Sequence, residues 1–95
     1  MTVTLTGFIT VPHDRLDAIR AELVTHIRLT RQEPGCINFD VTEDENIEGR
    51  FNVSEEFSSA EAFKAHQARV KVSDWGAISA GIPRSYEITG LPDDQ

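Results

Sequence analysis

The sequence predicts an α+β domain, a four-stranded antiparallel sheet with two helices on one face, in the order β-α-β-β-α-β. Three observations carry this. Residues 2–11 alternate apolar and polar with β-branched side chains. Leu16, Ile19, Leu23, Ile27 and Thr30 then recur at helical spacing. Two further alternating segments, 36–42 and 50–57, flank a short acidic loop and are followed by a second helical pattern and a final β-rich run.

Each element follows from local chemistry. In the first strand Val3, Leu5, Ile9 and Val11 share one face; Thr2, Thr4, Thr6, Phe8 and Thr10 share the other. Gly7 interrupts the apolar face and marks either a bulge or a close backbone approach. Pro12 stops the strand and opens the first helix. Asp14 and Asp17 near its start, with His26, Arg28 and Arg31 near its end, suit the helix dipole. Glu33-Pro34-Gly35 ends it, because the residue before proline avoids the helical region and glycine turns the chain.

The second strand, Cys36 to Thr42, is expected to place Ile37, Phe39 and Val41 on one face. Glu43-Asp44-Glu45 reads as a solvated hairpin tip, with too few alternating oxygen ligands for a calcium loop. The third strand, Arg50 to Phe57, aligns Phe51, Val53, Glu55 and Phe57. Ser58 with Glu61 predicts a capping box. The second helix then runs to about Val70, with Ala62, Phe63, His66 and Val70 inward. Residues 73–80 form a short helical turn around Trp75, and Gly81-Ile82-Pro83 breaks it. Arg84 to Thr89 is the last strand, and 91–95 is an acidic tail.

Ninety-five residues make one domain, with a structured part of about 2–90. A chain this short buries only roughly 60–65% of its unfolded surface. Its open sheet face, bearing Thr4, Asn38 and Ser54, therefore predicts a homodimer joined through that face. Sixteen acids against nine bases give a net charge of −7. That argues against nucleic acid and against an anionic membrane surface as partners. No apolar run reaches the ~20 residues of a membrane helix. Met1 to Val11 lacks the basic start and apolar centre of a signal peptide, so a cytoplasmic protein is expected.

A lone Cys36 makes no internal disulfide, and one Cys with three scattered His fits no zinc spacing. No glycine loop suits a phosphate-bearing cofactor. The expectation is a chain that uses neither metal nor cofactor.

Glu55 is the most informative residue, a carboxylate in phase with an apolar strand face. Burial would raise its pKa and make it a usable base near neutrality. The alternative is a structural partner for Arg69, Arg84 or a helix terminus. His66, three residues after Phe63, faces the sheet and could exchange protons with a ligand, with Glu55 orienting it. The alternative is a hydrogen-bonded core histidine. His13 and His26 stand at the two ends of the first helix and read as capping or surface residues. Phe39, Phe57, Phe63, Trp75 and Tyr86 could wall a pocket for a flat ligand, or simply form the core. Trp75 is the best pocket candidate of the five, because its segment is the least regular one that faces inward. Cys36 has no neighbour in sequence that would activate its thiol.

Glu33-Pro34-Gly35-Cys36 followed by Phe39 resembles the EPGC-x-x-[YF] signature of antibiotic biosynthesis monooxygenase domains. Phe51 to Phe57, followed by Glu61-Ala-Phe-Lys-Ala-His66, resembles their F-x-x-x-E-x-W…A-x-x-x-H stretch. The segments from His66 to Arg69, Ser73 to Gly76 and Gly81 to Tyr86 resemble a quinol monooxygenase subgroup.

The resemblance implies a ferredoxin-like protomer and a dimeric α+β barrel. It also implies an enzyme that oxidises a small quinol or phenol with O₂, without metal or flavin. In this reading His66, supported by Glu55, deprotonates the substrate. Arg69 stabilises oxyanion charge, and Phe57 and Trp75 pack the ring. The haem-degrading branch of the family carries an Asn on the first strand and a Trp ending the third; this chain has no such Asn, and Phe57 stands at the Trp position. Two other readings are an isomerase or tautomerase of a small carbonyl compound, and a non-catalytic dimer that binds a small molecule.

Overall fold

In a computed structural model, described here for residues 2–91, β1 (Val3–Thr10) leads through Pro12 and a 3₁₀ turn (His13–Arg15) into α1 (Leu16–Arg31). There follow β2 (Cys36–Glu43), β3 (Arg50–Phe57), α2 (Ala60–Lys71), α3 (Asp74–Ile78) and β4 (Arg84–Thr89). The expected acidic tail lies outside the described residues apart from Leu91. The strands form one antiparallel sheet in the order β2-β3-β1-β4. This is the expected ferredoxin-like arrangement.

The inward face of β3 is as the alternation predicts: Phe51, Val53, Glu55 and Phe57 are all buried. The core beneath the helices falls into two clusters. Ile9, Val11, Leu16, Ile19, Leu23, Phe51 and Ile82 form one; Val3, Leu5, Val53, Phe57 and Phe63 form the other. The short α3 packs against both α1 and α2. Phe39 is buried, and two hydrogen bonds fasten its strand to α1: Arg31 donates to the Phe39 carbonyl at 3.1 Å and to Asp40 at 3.0 Å.

Gly7 lies at a close backbone approach, with the β1–β3 register continuous through it. It stands between Val53 of β3 and Tyr86 of β4, and a Cβ there would lie 2.0 Å from the Ser85 carbonyl oxygen. Only glycine fits there.

Two local expectations need correction. A register shift between Cys36 and Asn38 places a bulge at Ile37. Cys36 instead pairs with Phe57 and packs on the core, while Ile37 is 55% exposed. The cap of α2 is Ser59, one residue later than predicted; its hydroxyl accepts from the Ala62 amide at 3.1 Å. The Ser58 amide is already used, donating to the Gly35 carbonyl at 2.8 Å. That bond belongs to a tight contact in which a Cβ on Gly35 would lie 2.6 Å from Ala62 Cβ. The Glu33-Pro34-Gly35 turn is thereby pressed against the first turns of α2.

Candidate active site

Between sheet and helices lies a cavity of about 330 Å³. Its sheet wall is formed by Leu5, Ile9, Val53 and Glu55, and its helix wall by Phe63, His66 and Trp75. Phe39 and Tyr86 also line it. Ligand pockets run from about 300 Å³ upward, so this one suits a molecule of one or two rings.

Glu55 is 9% exposed, and its Oε1 has no hydrogen-bond partner among the described residues. Burial pushes its carboxyl from 4.5 up to about 7, with the charge of Glu33 adding to the rise. His66 is 5% exposed, and its Nε2 lies 3.9 Å from Glu55 Oε1. That is one small side-chain adjustment beyond hydrogen-bond range. Burial lowers the His66 pKa, against a pull upward from Glu33. The two residues singled out from strand and helix phase thus meet at one cavity wall, one carboxyl and one imidazole.

The other side of the imidazole has a partner that periodicity did not reveal. His66 Nδ1 is 2.9 Å from Glu33 Oε1, and Arg69 Nε donates to Glu33 Oε2. A second Arg69 nitrogen donates to the Thr30 hydroxyl at 3.0 Å. Arg69 and His66 are one helical turn apart on α2, and the Gly35 contact brings Glu33 up to that face. Arg69 is therefore turned away from the cavity, and the cations on the cavity wall are Lys71 and Arg84. Phe57 is also displaced from its expected place. It is fully buried, 4.9 Å from the His66 ring centroid, and supports the imidazole rather than lining the cavity.

His26 corrects an expectation. It is 5% exposed, stacks on Trp75 at 4.8 Å and 7°, and meets the edge of Phe39 at 5.3 Å. Its ring lines the cavity, and its Nδ1 lacks a partner among the described residues. Burial, helped by His66 and Arg69, drives its pKa from 6.5 down to about 3. The signal was present in its spacing, three residues after Leu23 and four before Thr30. His13 is at the surface as expected, 3.1 Å from Glu48.

Burial raises the Cys36 thiol pKa. Asp44 holds the hairpin tip by accepting from the amides of Asn46 and Ile47. Among the described residues no three His, Cys, Asp or Glu side chains converge as metal ligands, and no helix is long and apolar enough to cross a membrane.

Solved structures share this architecture. A candidate antibiotic biosynthesis monooxygenase from Nitrosomonas europaea superposes with a TM-score of 0.82 at 20% identity, over 98% of this chain and 92% of that one. Rv0793 from Mycobacterium tuberculosis gives 0.74 at 23% identity, over 99% and 98%. A second candidate monooxygenase, from Deinococcus radiodurans, gives 0.75 at 20%, over 98% and 94%. At such identities the likeness speaks for the fold alone. No curated protein sequence matches the chain. The antibiotic biosynthesis monooxygenase profile matches residues 2–77, which include β1 to β3, the Glu33 turn and both cavity-facing residues Glu55 and His66. With most of its length matched and the fold in agreement, the chain belongs to the antibiotic biosynthesis monooxygenase family.

Proposed function

We propose that the protein is a cofactor-independent monooxygenase that oxidises a small quinol or phenol with O₂. One observation carries the reading: an imidazole and a carboxyl poised near neutrality face each other 3.9 Å apart on the wall of a mostly apolar, ring-sized cavity. Family membership supports the reaction class.

The substrate must itself supply the electrons to O₂. His66 takes the phenolic proton, and the phenolate is the better electron donor. Phe39, Phe63 and Trp75 enclose the ring and keep water from the reduced oxygen. One oxygen atom forms a new C–O bond, and the other leaves as water, reprotonated by His66 and Glu55. A quinol plus O₂ then gives a hydroxylated quinone plus water, with all four electrons drawn from the substrate. Lys71 and Arg84, rather than Arg69, are placed to balance phenolate charge. The proposed unit is a homodimer joined by the sheet face that no helix covers.

The test is oxygen uptake across a panel of quinols and phenols. The reading predicts one O₂ consumed per quinol, without added metal or flavin and without peroxide release. The same two groups would serve enolisation of a small carbonyl compound. Turnover of such a compound without oxygen uptake would establish an isomerase instead. A chain that turns over neither class and only binds them would be a binding dimer.

A further inference from the structure

We propose that Glu33 is the positioning residue of this site, and that it, not Glu55, sets which nitrogen of His66 faces the substrate as a base. The inference rests on the reading of His66 as that base.

Glu33 is clamped from two sides. Its Oε2 accepts from Arg69 Nε, and Arg69 is anchored in turn on Thr30, which is fully buried. Its Oε1 lies 2.9 Å from His66 Nδ1. A carboxylate paired with a guanidinium only accepts hydrogen bonds, so Nδ1 must carry the ring proton. The lone pair then sits on Nε2, the nitrogen facing Glu55 and the cavity. When Nε2 takes a proton, the resulting imidazolium is held by Glu33 until it returns that proton to the leaving oxygen. Glu55 lies too far from Nε2 to hold the ring, and among the described residues no hydrogen bond fixes its Oε1.

A second observation makes the assignment testable. A groove of about 450 Å³ opens on the far side of the imidazole, lined by Glu33, Pro34, Ala62, Ala65 and Arg69. Among the described residues His66 alone borders both this groove and the substrate cavity. A carboxylate-sized hole at position 33 is therefore reachable from solvent without passing the substrate.

The experiment uses the whole protein as wild type, Glu33→Gln and Glu33→Ala, with formate as the external carboxylate and chloride as the ionic-strength control. Nitrogen-15 spectra of the His66 ring in substrate-free protein report where its proton sits. Wild type should carry it on Nδ1. Glu33→Gln, whose amide can donate to Nδ1, should shift the proton toward Nε2. Turnover should fall by about 10²-fold or more in both variants. Formate, but not chloride, should restore the Nδ1 proton and at least about tenfold of the lost turnover in Glu33→Ala.

Wild-type protein with its proton on Nε2 would overturn the proposal. So would a folded Glu33→Gln protein with an unchanged ring spectrum. Loss of turnover that formate leaves untouched while it restores the Nδ1 proton would also overturn it, by assigning Glu33 a merely structural role. The spectra need no substrate. An Nδ1-protonated ring that shifts in Glu33→Gln, in a protein that consumes no oxygen, would uphold the positioning and refute the oxygenase reading alone.

Discussion

Substituting Glu55 by Gln should stabilise the protein in alkali, by an amount that depends on pH. Folding raises the Glu55 carboxyl from 4.5 to about 7, so the native chain holds a proton there that the unfolded chain has already lost. Where the native state binds more protons, stability falls as pH rises. The loss starts near the unfolded pKa and is complete above the folded one. At about 1.4 kcal/mol per pKa unit it amounts to about 3 kcal/mol. Gln mimics the protonated carboxyl and removes this loss.

His26 acts in the opposite direction. It stays neutral in the folded state down to about 3 but protonates near 6.5 when unfolded, so its contribution is lost as pH falls. Between about 4.5 and 6.5 the Glu55 and His26 slopes have opposite signs and offset each other in the wild type. In Glu55→Gln the His26 slope is no longer opposed by that of Glu55. The other titratable and charged groups around the cavity, His66, Lys71, Arg84 and Tyr86, are common to both proteins. Urea denaturation from about pH 4 to pH 9 measures the difference. The variant should gain about 3 kcal/mol on wild type across that range, mostly between about pH 5 and pH 7. A difference that stays constant with pH would refute the burial argument. A difference that falls with rising pH would mean that ionised Glu55 is paired and structural.

Three other outcomes are expected. Replacing His26 by Phe keeps an aromatic on Trp75 and removes the acid-sensitive imidazole; relative to its effect near pH 7, it should stabilise the protein by about 3 kcal/mol near pH 4, read from the same denaturation curves. Replacing Gly7 by Ala drives a Cβ into the Ser85 carbonyl and should cost about 3 kcal/mol, with hydrogen exchange showing β4 loosened first. Sedimentation at micromolar concentration should find a dimer, and Thr4→Arg on the uncovered sheet face should shift it toward monomer; a wild-type monomer would remove the proposed interface.

Strand alternation and helix spacing were enough to order the strands and the two long helices, because all of these but the edge strand β4, whose residues are all exposed, bury apolar side chains in the core. They misplaced Ile37 because a bulge adds a residue without altering composition. They misplaced the α2 cap because Ser58 and Ser59 are chemically equal, and only the Gly35 contact decides between them. Glu55 and His66 were legible as polar residues in apolar phase. His26 had the same signature, but its position near a helix end suggested a charge role, and only the stack on Trp75 shows it as part of the core. Glu33 carried no periodic signal. Its place beside His66 comes from a turn packed across the fold, which spacing along one element does not encode.

The central claim is that His66 and Glu55 act as one proton-transfer unit on a substrate in the cavity. The most direct measurement is oxygen uptake with a confirmed quinol by His66→Ala, Glu55→Gln and the double variant, each verified as folded. Each single substitution should lower turnover by about 10²-fold or more, with the double little worse than either single. A His66→Ala protein that turns over at the wild-type rate, or losses that multiply in the double variant, would contradict it.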